Sequence, residues 1–211
     1  MKDFTRIKNI IFDLGAVIIP IDFSLTFRAF ASLSNLPLEE IQSRYQASTL
    51  FVEFEKGIIG NFQFLVGVRQ LLELSDSITD QQLVDAWNAL LLEIPAERVH
   101  RIQELSKQYR VFLLSNTNPI HIAEVQSILY RNTQIAQLEA IFEKAWYSYD
   151  LGLIKPGIAI YQKVLEQKQL AAAETIFLDD SVDNVAGAVA AGIQALLVDE
   201  HTSLLELLKH A

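Results

Sequence analysis

Glu174-Thr175-Ile176-Phe177-Leu178-Asp179-Asp180 is the stretch on which the reading of the chain turns, together with the Ser181-Val182-Asp183-Asn184 that follows it. Its apolar part shows no period-2 alternation, as expected of a strand covered on both faces. It then ends in two adjacent carboxylates. Neighbouring carboxylates at the edge of a core repel each other unless a cation or hydrogen bonds compensate them. The same design recurs along the chain. Asn9-Ile10-Ile11-Phe12 ends in Asp13, and Arg110-Val111-Phe112-Leu113-Leu114 ends in Ser115-Asn116. Gln194-Ala195-Leu196-Leu197-Val198 ends in Asp199, and Lys144-Ala145-Trp146-Tyr147-Ser148 is a weaker fifth case.

Helical patterns separate these runs: Arg98 to Tyr109, a segment opened by Pro119, Ile158 to Gln167, and Asn184 to Ala191 closed by Gly192. Lys155-Pro156 reads as the start of a further helix. Strands and helices alternating at this spacing predict an α/β fold with a mainly parallel sheet. The interval from Asp22 to Leu92 breaks the rhythm. It carries helix signatures over Ser24 to Ala31, Leu38 to Ala47, Asn61 to Leu72 and Thr79 to Leu91, with Thr79 and Asn61 as expected N-caps. The expected organisation is a core of residues 1–20 and 93–211, with residues 21–92 inserted as a small helical domain after the first strand.

Composition narrows the function. The 211 residues are long enough to bury a sizeable core, and 51% apolar with 20% charged residues exclude disordered and low-complexity classes. Cysteine is absent, which removes disulfides and thiolate chemistry and fits a cytoplasmic protein. Seventeen basic against 26 acidic residues give a net charge of −9, so nucleic acid is not an expected partner. Neither a signal peptide nor a membrane span is expected, because Asp13, Pro20 and Asp22 interrupt the apolar N-terminal region. Nothing in the sequence decides between monomer and homodimer.

Ligands of open α/β sheets sit beyond the carboxyl ends of the strands. There this chain gathers Asp13, Ser115, Asn116, Asp179, Asp180, Asp183 and Asn184, with Lys155 between the second and third of the strong strands. Carboxylates are hard oxygen donors for a small divalent cation. Hydroxyl and backbone N–H groups at a helix start donate to phosphate oxygens, and a lysine offers a positive point charge to a phosphoryl group. The set points to a phosphate and a cation in one site.

The sequence resembles the haloacid dehalogenase-like hydrolase superfamily, in its branch with a helical cap inserted after the first strand. The resemblance is carried by Ile11-Phe12-Asp13-Leu14-Gly15-Ala16-Val17, Leu114-Ser115-Asn116-Thr117, Leu153-Ile154-Lys155-Pro156 and Phe177 to Asn184, in order. It implies a Rossmann-like parallel sheet flanked by helices, and a Mg²⁺-dependent phosphatase acting on a small phosphorylated metabolite. Some members similar in their Asp-Leu-Gly start are regarded as sugar-phosphate phosphatases, which puts a hexose 1-phosphate among the candidates. Asp13 is then the nucleophile that forms an aspartyl-phosphate. Ser115, Asn116 and Lys155 hold the phosphate, and Asp13, the Gly15 carbonyl and Asp180 hold Mg²⁺. Asp179, Asp183 and Asn184 support them.

One position departs from that pattern. Phosphatases of the superfamily usually carry an aspartate two residues after the nucleophile as general acid–base, and this chain has Gly15. The departure keeps two alternatives open: a catalytically weak or inactive binding or regulatory member, and metal-independent dehalogenase-type hydrolysis at carbon. Glu53 and Glu55, in the inserted block, are expected to decorate a helix surface, with compensation for the missing acid–base group as the alternative reading. Phe23, Phe27, Phe30, Phe51, Phe54, Phe62 and Phe64 mostly pack that block. His100, His121, His201 and His210 lack metal-binding spacing and are expected in surface or capping positions.

Overall fold

The computed structural model describes residues 6–199. Among them, β1 (Asn9–Phe12), β2 (Arg110–Ser115), β3 (Lys144–Tyr147), β4 (Thr175–Asp179) and β5 (Gln194–Leu197) form one parallel sheet in the order β3-β2-β1-β4-β5. The chain starts in the centre, builds outward on one side, then crosses to the other. That reversal places a topological switch point beside β1, where ligands of such sheets bind.

The lack of alternation in the strand sequences has a direct cause. Ile10, Phe12, Val111, Leu113, Ile176 and Leu178 pack into one apolar cluster, while Ile11, Phe112, Leu114 and Phe177 pack into a second. Side chains of successive strand residues point to opposite faces, so both faces of the sheet are covered. Register aligns the strand ends: Phe12 stands beside Leu113 and Leu178, and the Asp13 N–H donates to the Leu178 carbonyl at 2.8 Å. The next residues on the three strands emerge together.

Helices α1 (Phe23–Leu33), α2 (Leu38–Ala47), α3 (Leu50–Glu55), α4 (Asn61–Leu71) and α5 (Asp80–Asn88) lie between β1 and β2. They share an apolar cluster of Phe30, Phe51, Phe54, Phe64 and Trp87, all buried, which Ile120 joins from the sheet side. Burying each of these large side chains contributes roughly 1.5–3 kcal/mol relative to exposure. Phe23 and Phe62 remain exposed, so the packing role expected of the phenylalanines falls to the others. Thr79 caps α5 through a capping box with Gln82. The predicted cap at Asn61 shifts by one: Gly60 is the cap and Asn61 the first helical residue.

The helix expected to run to Leu91 stops at Asn88, because Asp22 N–H and Leu92 N–H pair with the carbonyls of Leu90 and Pro20 and Ile21 bridges Leu91. That short ladder ties the two crossings of the chain between helical block and sheet.

Helices α6 (Ala96–Leu105), α7 (Pro119–Thr133), α8 (Ser148–Leu151), α9 (Ile158–Lys168) and α10 (Val182–Ala190) complete the fold. Pro119 occupies the first turn of α7 behind Asn118, whose side chain accepts from the His121 N–H. Neither α3 nor α8 was signalled in the sequence, since six and four residues are too few to show a helical period. Lys155-Pro156 does not start a helix; α9 begins at Ile158 with Gly157 as its cap. No helix among the described residues is long and apolar enough to cross a membrane.

Candidate active site

Asp13 follows β1, Ser115 ends β2 and Asp179 ends β4, so the aligned register delivers all three to one end of the sheet. Lys155 reaches them from the loop before α9. Its ammonium donates to Asp13 Oδ1 at 2.6 Å, to Asp179 Oδ2 at 2.7 Å and to the Leu114 carbonyl at 3.1 Å. An ammonium has three donors, and these three acceptors take them all. Lys155, Asp13 and Asp179 are buried, at 3%, 7% and 0% exposure, so water does little to screen their attraction.

The loop that carries Lys155 is itself held. Asn116 Nδ2 donates to the Lys155 carbonyl and Asn116 Oδ1 accepts from the Lys155 N–H, both at 2.9 Å. Asn116 is expected at the phosphate; its side chain is engaged by this backbone, which leaves its own backbone for that contact. Gly187 on α10 adds support from below. A Cβ there would overlap the Pro156 carbonyl, so only glycine lets the helix lie against this loop.

Asp179 is an organiser. Its Oδ1 accepts from the Ser181 N–H at 2.8 Å and from Asn184 Nδ2 at 3.0 Å, while Oδ2 meets Lys155. Asn184 is fixed in turn by its place on the first turn of α10, where its carbonyl accepts from Tyr161 Oη at 2.8 Å. Asp180 is exposed beside them, and Asp183 is exposed on the same helix turn, outside the carboxylate group. Ser115 is 2% exposed and lines the adjoining cavity. The nearest acceptor for its hydroxyl, the Asn116 carbonyl, is 3.5 Å away, leaving the group free to turn to a ligand.

Asp13, Asp179 and Asp180 each present an oxygen within 4.8 Å of the others. Three carboxylates, two of them buried, against one ammonium leave excess negative charge. Burial, reinforced by Asp179 and opposed by Lys155, pushes the Asp13 carboxyl up to about 7. Burial and Asp179 also push Asp180 up. Desolvation pulls Lys155 down, but the two carboxylates outweigh it and its ammonium is held above the usual lysine range. An all-oxygen set with surplus charge fits a hard divalent cation such as Mg²⁺.

The loop after β1 closes the site. Gly15 sits in a tight turn in which its carbonyl accepts from the Val17 N–H at 2.6 Å. Arg98 of α6 donates to the carbonyls of Ala16, Val17 and Ile18 at 3.0–3.3 Å and pins the loop. Nothing in the sequence singles Arg98 out, because its partners are backbone atoms some 80 residues away.

Between the sheet end and the helical block lies a cavity of about 70 Å³, lined by Gly15, Phe23, Glu55, Trp87, Ser115 and His121 among others. Two sequence expectations change here. His121, expected at the surface or in a capping position, is buried in the first turn of α7 beside the cap residue Asn118: it stacks on Trp87 with ring centroids 4.5 Å apart, and burial pulls it down to about 4. Glu55, expected on the surface, faces the cavity, and burial pushes its carboxyl up to about 7 against the pull of Lys155. The available signal was spacing: Glu55 stands four residues after the buried Phe51, on the same helix face. Glu53 takes its hydrogen bond from Thr49 at an exposed site. His100 is exposed, and His201 and His210 lie outside the described residues.

The model of haloacid dehalogenase-like hydrolases matches residues 7–192. The chain belongs to that family. A D-ribitol-5-phosphate phosphatase of Bacteroides thetaiotaomicron is 31% identical over 180 residues, 85% of each chain. A Mycobacterium tuberculosis phosphatase is 25% identical over 196 residues, 92% of this chain and 88% of its own. Among solved structures, a HAD family enzyme of B. thetaiotaomicron in complex with magnesium and inorganic phosphate superposes with a TM-score of 0.87 at 31% identity. That match covers 96% of this chain and all of the other. The expected Rossmann-like parallel sheet flanked by helices, and a hydrolase built on it, are thereby borne out.

Proposed function

We propose that this hydrolase is a Mg²⁺-dependent phosphatase that cleaves the monoester of a small sugar or polyol phosphate through an aspartyl-phosphate. The observation that carries this reading is the buried Lys155 bridging Asp13 and Asp179, with Asp180 and the open Ser115 hydroxyl at the same strand ends. The B. thetaiotaomicron and M. tuberculosis relatives, named as phosphatases, support it. So does the magnesium and phosphate held by a similar fold.

Asp13 attacks phosphorus and the ester oxygen departs; water then attacks the acyl phosphate and restores the carboxylate. Lys155 fixes the attacking carboxylate by one oxygen and supplies positive charge as it forms, while Asp179 keeps that lysine in place. Ser115 donates to a phosphoryl oxygen, as does the backbone around Asn116, whose side chain holds the Lys155 loop instead. Asp13, Asp180 and the Gly15 carbonyl would hold Mg²⁺, which would supply charge neutralisation at the phosphoryl group. Asp183 favours the start of α10 by its charge. On this reading residues 21–92 form a cap over a core that takes in the described residues 6–20 and 93–199, and the cavity between them receives the leaving group.

Metal-independent hydrolysis at carbon is disfavoured by the surplus of carboxylates, which stays uncompensated where no cation binds. The test is phosphate release from a panel of sugar and polyol phosphates that includes hexose 1-phosphates and pentitol 5-phosphates. The expected result is Mg²⁺-dependent release that Asp13→Asn abolishes. Release unchanged by that substitution overturns the nucleophile, and no release by the folded protein moves the reading to a binding or regulatory role.

A further inference from the structure

A phosphatase that lacks a proton donor beside its nucleophile needs one elsewhere, because an alkoxide leaves poorly. Gly15 has no proton to give, and Lys155 has all three of its own in hydrogen bonds. His121 is the one imidazole among the residues lining the cavity, and its proton is also committed. Its Nε2 faces the Trp87 carbonyl at 3.2 Å, which only accepts, so Nε2 carries the hydrogen. Its Nδ1 then accepts from Asn118 Nδ2 at 3.0 Å. Neither nitrogen is free to donate to a ligand.

Glu55 is the one carboxyl among the residues lining this cavity, and it shares the lining with Gly15, Ser115 and Asn116. Its position is anchored. Two residues on, Gly57 turns with φ +66°, and a Cβ there would overlap the Tyr149 carbonyl of α8. The end of α3 is therefore seated directly on sheet-domain backbone, and Glu55 is delivered by a fixed contact.

We propose that Glu55 is a further catalytic residue of this site, protonating the leaving oxygen and then deprotonating the attacking water in the role that Gly15 cannot fill. The proposal rests on the phosphatase reading above. In the first step the Asp13 oxygen–phosphorus bond forms, the ester P–O bond breaks, and the departing oxygen takes the Glu55 proton to leave as alcohol. In the second, water oxygen bonds to phosphorus, one water proton returns to Glu55, and the Asp13–phosphorus bond breaks to free phosphate. The environment suits both halves: burial holds the Glu55 carboxyl near neutrality, where donor and acceptor forms are both populated.

The experiment compares Glu55→Gln with the unmodified protein in single-turnover release of alcohol from a pentitol 5-phosphate and of nitrophenolate from p-nitrophenyl phosphate. Glutamine preserves shape and removes the transferable proton. The polyol ester should lose about 10²–10⁴-fold, whereas nitrophenolate, which departs without protonation, should change by less than about threefold. Equal losses on both esters, as a structural role predicts, overturn the proposal, as does an unchanged rate on the polyol ester. Asp13-dependent turnover of p-nitrophenyl phosphate alone in the unmodified protein overturns the acid role and leaves the phosphatase reading standing. Failure of the folded, unmodified protein on both esters removes the two together.

Discussion

Lys155 and Asp13 are 142 residues apart in sequence and 2.6 Å apart in space, sealed together at the end of β1. Removing the lysine leaves Asp13 and Asp179 facing each other with no counter-charge. Breaking a buried pair in this way typically costs about 3–5 kcal/mol. Lys155→Met is therefore expected to lower the melting temperature by many degrees and to abolish turnover. Calorimetry with and without Mg²⁺ checks it. Added Mg²⁺ should recover part of the stability, because a cation neutralises the same carboxylates, but none of the activity.

Asp180 calls for the opposite sign. It stands exposed beside the buried Asp179 and repels it, so the metal-free protein is better off without its charge. Asp180→Asn should raise the melting temperature in chelator. In the presence of Mg²⁺ the order should reverse, since on the proposed reading the unmodified protein gains stability by binding and the variant gains less. Thermal shift at a series of Mg²⁺ concentrations reads both effects without an activity assay. A variant that responds to Mg²⁺ as fully as its parent removes Asp180 from the metal site.

How far this site could be read from the sequence depends on which kind of contact makes it. The strand ends were legible because a parallel strand buried on both faces is an unbroken apolar run, and Asp13, Ser115 and Asp179 punctuate such runs. Asn116 keeps only its backbone for the expected phosphate, because its side-chain amide pairs with the backbone of Lys155, 39 residues on, a pairing that sequence cannot show. The burial of Glu55 and His121 is hidden from the sequence for a related reason. Each is polar on a short or weakly periodic helix, and its burial comes from a partner element: the sheet end for Glu55, Trp87 of α5 for His121. Arg98 left no trace at all, since three backbone carbonyls carry no sequence signature.

His121 gives a pH prediction. Burial lowers its folded value to about 4 from an ordinary 6.5. The unfolded chain therefore takes up a proton that the folded one refuses as pH falls from about 6.5 to about 4, and stability declines across that window. Above about 6.5 the group contributes no pH dependence. Imidazole NMR should find His121 neutral at pH 5 with its hydrogen on Nε2, as the Trp87 carbonyl requires. A charged ring at that pH contradicts the burial argument and the tautomer together.

Gly15→Asp tests whether position 15 and Glu55 share one task. The site admits the change: Gly15 has no positive φ, and a Cβ would meet only the Ile21 Cδ1 methyl, at 3.3 Å, the movable end of a side chain. If Glu55 already transfers the proton, a second carboxyl is redundant in the unmodified protein, and polyol-phosphate turnover should change by less than about tenfold. In the Glu55→Gln background the new carboxyl supplies what is missing, and the same substitution should restore much of the lost rate. Equal gains in both backgrounds would mean that the site lacked acid–base help from the start, and that Glu55 contributes only to the shape of the cavity. Steady-state kinetics on the four proteins, with folding checked by circular dichroism, separates the two cases because redundancy and independence predict different products of the single effects.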